Sequence, residues 1–160
     1  MRIDKQHILN LMIEQLRADL KVCEDAVSIA RDTATHSDAL GSSRYETMGV
    51  EASYLAQGQG VRLLEVERSL AWFLQVKLTE PGGIIRLSSL VSLLDEQGDT
   101  QLLWLAADAG GMKIEEGCNT ITVITPKSPL GRAMLGKQQG DSFETRIADR
   151  SRCFEIGEVW

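Results

Sequence analysis

Residues 4–35 read DKQHILNLMIEQLRADLKVCEDAVSIARDTAT, and an apolar or small side chain returns at Leu9, Ile13, Leu16, Leu20, Cys23, Val27, Ala30 and Ala34. The steps alternate between four and three residues, which is the period of a coiled-coil seam. A second series runs through Met48, Ala52, Ala56, Leu63, Val66, Leu70 and Phe73, with Gln59 in a seam position. Between the two series, HSDALGSS reads as a turn, because Gly41 supplies a flexible point and the serines offer helix caps. A connection this short returns the second helix alongside the first, so an antiparallel hairpin is expected over residues 1–80 with its tip near 36–44. The first helix, from about Asp4 to Thr35, would be on the order of 47 Å long. Its seam narrows toward the tip, where Ala30, Ala34 and Ala52 replace Leu and Ile. Gly58 and Gly60 should bend or fray the second helix, each costing roughly 1 kcal/mol relative to Ala.

Glu80-Pro81-Gly82-Gly83 ends the helical period, and residues 84–160 form a second domain. Five β-branched or aromatic runs follow: Ile84–Leu94, Gln101–Ala106, Thr120–Ile124, Ser142–Ile147 and Cys153–Val159. They read as the strands of a mostly antiparallel sheet. SPLGRAMLG, between the third and fourth runs, reads as one short helix capped by Ser128, with Pro129 at its first position and Gly136 as its stop. The fold class is therefore α+β.

Composition narrows the function. The 160 residues carry 17 Lys and Arg against 23 Asp and Glu, a net charge of −6, which argues against wrapping duplex nucleic acid through many phosphates. The amino terminus lacks the apolar run of a secretory signal, and no stretch approaches a membrane span. Cys23, Cys118 and Cys153 are odd in number and widely spaced, which suits reduced thiols in a cytoplasmic protein better than a disulfide framework.

Local motifs are ambiguous by themselves. Gly131 to Lys137 matches part of a phosphate-binding loop, but Gln138 stands where Ser or Thr should hold magnesium. Gly58-Gln-Gly60 lacks the context of a dinucleotide site. His7 and His36 are far apart, so no intrinsic zinc site is expected. Ser43-Arg44-Tyr45-Glu46 fits a capping box, leaving Glu46 either tied to backbone or free for chemistry. Asp38 is either a turn former or a carboxylate that the tip delivers as a metal ligand.

Ser128-Pro-Leu-Gly-Arg-Ala-Met-Leu-Gly-Lys-Gln-Gln-Gly-Asp141, following the run Thr120–Ile124, resembles the carboxyl-terminal signature of the bacterial Gre family of transcript cleavage factors. The order of hairpin, Pro/Gly break and sheet also resembles that family across essentially the whole chain. The resemblance implies an FKBP-like sheet domain that docks at the rim of the RNA polymerase secondary channel while the hairpin enters it. It implies polymerase contacts at Ser128, Pro129, Leu130 and Arg132, and at Asp108 in the acidic loop between strands. It also implies tip carboxylates that help hold a second Mg2+ of the polymerase active site, near the nascent RNA 3′ end. Aligning the family's tip Tyr on Tyr45 puts its Asp on Asp38 and its Glu on Gly41, so one carboxylate is missing. The expected function is thus a monomeric Gre-like elongation regulator, with no intrinsic cofactor and no enzyme activity of its own, that stimulates cleavage weakly or not at all. A true cleavage factor using Asp38, with or without Glu46, is the alternative. Readings of another class are an FKBP-type peptidyl-prolyl isomerase, which the aromatic content of 5% disfavours, and a hairpin adaptor protein.

Overall fold

The computed structural model describes residues 2–40 and 43–160, with the side chains of 34–49 and 52 excepted. Two long helices come first, α1 (Lys5–Leu40) and α2 (Ser43–Gln75). Both run further toward the tip than the sequence suggested. His36 to Leu40, expected in the turn, continue α1, since Ala39 and Leu40 favour helix and only residues 41–42 intervene. Gly41 lies outside the described residues. The helix also runs unbroken through Gly58 and Gly60, where the propensity cost is outweighed by the long helical stretches on either side.

Contacts divide the chain into two compact units, Met1–Met12 with Trp72–Trp160, and Ile13–Ala71. The sheet unit thus takes in the first turns of α1 and the last turn of α2, which the sequence assigned to the hairpin. In the hairpin unit, Leu16, Cys23, Val27, Ala30 and Val66 are buried along the seam, while Leu63 is half-buried. One groove is lined by Val27 and Leu63, and another by Ala30, Thr33, Leu55 and Gln59. Residue numbers rise along α1 as they fall along α2, so the two helices are antiparallel.

The sheet unit has six strands: β1 (Leu90–Asp95), β2 (Thr100–Leu105), β3 (Lys113–Glu116), β4 (Asn119–Ile124), β5 (Ser142–Ile147) and β6 (Arg150–Val159). A single short helix, α3 (Pro129–Met134), joins β4 to β5. The strand order is β3-β4-β2-β1-β6-β5. Three features differ from the five antiparallel strands expected. β3 is additional. β1 starts at Leu90 because residues 84–89 turn, with Ser88 at φ 73° and the Arg86 N–H donating to Ser89 Oγ at 3.1 Å. β2 and β4 pair in parallel, Leu102 opposite Ile121 and Leu105 opposite Ile124, whereas the other pairings are antiparallel.

Alternation along the strands gives the sheet two apolar faces. Val91, Leu93, Leu103, Leu105 and Ile156 form one core with Met134 of α3. Leu90 and Trp104, register partners on the other face, are fully buried, as are Ile8, Met12 and Phe73 of the same unit.

Candidate functional site

The parallel pairing of β2 with β4 places the loops that follow them at the same end of the sheet. One loop carries Asp108 and the other carries Thr125 to Ser128. Both close on Thr125. The Ser128 N–H and hydroxyl donate to the Thr125 carbonyl at 3.0 and 2.8 Å, and Ser128 Oγ in turn accepts the Gly131 N–H at 3.1 Å, capping α3. A Cβ on Gly131 would overlap the Thr125 carbonyl, so only glycine fits there. From the other loop, a Cβ on Gly110 would come within 3.1 Å of Thr125 Cγ2.

Much of the segment that looked like a recognition signature therefore builds the fold. Ser128 caps, Pro129 opens the helix where a missing N–H costs nothing, Gly131 permits close approach, and Met134 is fully buried. Leu130 is half-buried against the sheet core. What faces outward is Pro129, Arg132 and Leu135, the last 45% exposed. The Arg132 guanidinium makes a long hydrogen bond of 3.4 Å to the Lys127 carbonyl.

Ile84 joins this surface. Its neighbour Ile85 donates its N–H to the Lys137 carbonyl at 2.7 Å and accepts from Gly136 N–H at 2.9 Å, which holds residues 84–86 beside the end of α3. Ile84 is 56% exposed. Exposed around α3 and the chain beside its end are thus the apolar side chains of Ile84, Pro129 and Leu135, with the guanidiniums of Arg132 and Arg86. Pro129 and Arg132 are candidates named from sequence, and the structure adds Ile84 and Leu135 as exposed apolar neighbours in the fold. The signal available was Leu135 itself, an apolar residue directly after a buried Met134.

Asp108 is half-buried and its Oδ1 accepts the Ala109 N–H at 2.8 Å, with Ala109 at φ 62°. Its carboxylate thus shapes the loop whose glycine packs on Thr125. The structure brings Asp108 and the Ser128–Arg132 segment to one end of one sheet. Asp38 and Glu46 belong to the hairpin unit, Asp38 in the last turn of α1 and Glu46 in the first turn of α2, and their side chains lie outside the described residues. Among the described residues no group of three or more His, Cys, Asp or Glu could hold a metal ion, and no helix is long and apolar enough to cross a membrane. The three cysteines are free thiols.

Residues 80–160 match the family described as transcription elongation factor, GreA/GreB, C-term. Transcription elongation factor GreA of Jannaschia sp. is 28% identical over 134 residues, spanning 84% of this chain and 78% of that one. GreA of Ruegeria pomeroyi is 29% identical over 131 residues, spanning 82% and 76%. Among solved structures, GreA factor homolog 1 of Thermus thermophilus aligns over 92% of this chain and 94% of its own, at 20% identity and a TM-score of 0.39.

Proposed function

From the premise that this chain belongs to the GreA/GreB family of transcription elongation factors, we propose that it binds bacterial RNA polymerase in the cytoplasm, the hairpin entering the secondary channel and the sheet unit holding its rim. The match over residues 80–160 carries this reading, because it covers the outward surface of Ile84, Pro129, Arg132 and Leu135. Exposed apolar side chains beside exposed arginines suit a partner surface that is itself apolar with an acidic residue. The helical pair supports insertion. At 36 and 33 residues, α1 and α2 are about 54 and 50 Å long at 1.5 Å per residue, and the small side chain of Ala30 is buried in the seam.

The chain performs no chemistry of its own in this reading. Its tip brings Asp38 as one oxygen donor toward a magnesium ion held mainly by the polymerase, and Gly41 brings none. A bound Mg2+ there would activate water for hydrolysis of backtracked RNA. With one carboxylate in place of two, the ion is retained less well, so stimulation of cleavage is weak or absent while occupancy of the channel persists. The test is a transcript cleavage assay on a stalled, backtracked elongation complex, run with and without a cleavage-competent competitor. Weak cleavage with effective competition supports the reading. Strong cleavage that survives Asp38→Ala overturns the role given to the tip.

A further inference from the structure

The hairpin has two unlike faces. One groove between its helices has an apolar floor of Val27 and Leu63 but is rimmed by the polar and charged side chains Glu24, Ser28, Arg31 and Asp32. The other, about 310 Å³, is apolar, with Ala30 at its floor and Ile29 and Leu55 on its walls. Ile29 and Leu55 are 66% and 57% exposed, and Val22, one heptad before Ile29, is 67% exposed. A long helical rod gains nothing from large aliphatic side chains held in water, so this face is built for contact.

On α2 the same face carries Glu51, Leu55, Gly58 and Arg62, which follow at steps of four, three and four residues. Their order is self-complementary. An acid stands at one end, a base at the other, and between them lie a knob and a bare stretch of backbone, since a Cβ built on Gly58 would meet nothing within 4 Å. If two copies meet with this face antiparallel, about a two-fold axis midway between Leu55 and Gly58, each Leu55 seats over the other copy's Gly58. The same operation sets each Glu51 opposite the other copy's Arg62. Arg62 already lies 3.5 Å from Glu65, but that pair is exposed and holds it weakly.

We propose that the occupant of this apolar face is a second copy of the chain, in a two-fold symmetric antiparallel dimer of hairpins. The residues from Glu51 to Arg62 rise only about 17 Å, so the buried area falls below that of a standard stable interface and the dimer is weak, forming in the micromolar range. At low concentration the chain is the monomer that the family resemblance implies. At high concentration the dimer doubles the girth of the rod, and a rod of four helices enters narrow channels less readily than one of two. The inference does not depend on polymerase binding and is tested without it.

Sedimentation equilibrium of the full chain from about 1 to 500 µM, with helicity followed by circular dichroism, reads the dimer directly. Leu55→Lys should weaken it at least about 10-fold with helicity retained, since Leu55 is exposed in the monomer. Gly58→Leu, which covers the bare backbone and favours helix, should weaken it as much and serves where Leu55→Lys loses helicity. Glu51→Arg and Arg62→Glu should each weaken it about 3- to 5-fold, and the double variant should recover to within about 2-fold of the wild type. A chain that stays monomeric to 500 µM overturns the proposal. So does a dimer indifferent to Leu55→Lys and Gly58→Leu, or a double charge reversal no tighter than the singles. Adsorption to phosphatidylglycerol vesicles without self-association would assign the face to lipid instead.

Discussion

The Lys5 ammonium donates to the main-chain carbonyl of Trp160 across 2.9 Å, joining residues 155 positions apart in the chain. It also donates to Thr79 Oγ1 at 2.6 Å and to the Thr79 carbonyl at 3.1 Å, and lies 5.5 Å from the centre of the Trp104 ring. With three acceptors and an aromatic face, the amine is satisfied although Lys5 is only 8% exposed.

Burial pushes the Lys5 pKa down to about 8, opposed by the negative charge of Glu80. A base whose folded pKa lies below its unfolded value near 10.5 binds fewer protons folded than unfolded between those two values, so stability rises with pH across that window. Below pH 8 that contribution is absent. Urea unfolding of wild type and Lys5→Met from pH 7 to 10.5 should show the wild type gaining on the variant by roughly 1–2 kcal/mol as pH rises. A difference independent of pH would mean the amine is not desolvated.

Gly131→Ala should destabilise the sheet unit by about 3 kcal/mol or more, because the added methyl meets the Thr125 carbonyl, a backbone atom that cannot swing away. Gly136→Ala offers the comparison. Its φ of 84° strains an L-residue but its surroundings are open, so a cost of about 1–2 kcal/mol is expected. Thermal unfolding of both variants checks the ranking.

In the hairpin, Leu16→Ala should cost about 2–5 kcal/mol, since Leu16 is 4% exposed, and Leu63→Ala less, since Leu63 is half-buried. Gly58→Ala should act in the opposite direction, raising stability by up to about 1 kcal/mol, because the helix is continuous there and a methyl meets nothing. Thermal melts followed by helical circular dichroism read all three.

Arg132→Glu should fold normally, as its hydrogen bond to the Lys127 carbonyl is long and exposed, yet bind polymerase at least about 10-fold more weakly. Leu135→Ser is expected to do the same through the apolar part of the patch. Pull-down and fluorescence titration with core polymerase measure the loss, and undiminished binding by both variants would remove this surface from the docking role.

At the tip, Gly41→Glu should raise cleavage of backtracked RNA and Asp38→Ala should abolish what the wild type provides. Titrating magnesium separates the causes, since a defect in retaining the ion is partly rescued by more of it.

The helical hairpin and the short helix were legible because period and caps are local: Leu9 to Ala30 mark the seam, and Ser128-Pro129 mark the start of α3. The tip was less so. Ala39 and Leu40 carry helix into a segment whose serines and glycine read as turn. β3 escaped notice because Lys113-Ile-Glu-Glu116 is short and charged, with Ile114 its only buried side chain, although Gly117-Cys118 between it and β4 has the length of a hairpin turn. The parallel β2–β4 pair was hidden for a different reason. A parallel pair normally announces itself by a crossover helix, and here the connection is a loop and a strand. With that pairing unseen, the meeting of the Asp108 loop and the Ser128 cap around Thr125 could not be read from sequence either. Ile84 and Leu135 look like core by type, and only the fold reveals that they face outward.

The sheet unit is assembled from both flanks of the hairpin, residues up to Met12 and from Trp72 onward. During synthesis this imposes an order. The hairpin, whose contacts are close in sequence, can close while later residues are still being made, as local contacts form fastest. The first turns of α1 must wait, because Lys5 has no Trp160 and β1 has no Val159 partner until the last strand leaves the ribosome. Throughout that interval Ile8 and Met12 have no sheet to cover, so the nascent chain carries an apolar amino-terminal helix as a ready substrate for chaperones. A truncation that removes β6 would therefore leave a folded rod attached to an uncovered helix end, and the damage would show first as aggregation and only second as lost binding.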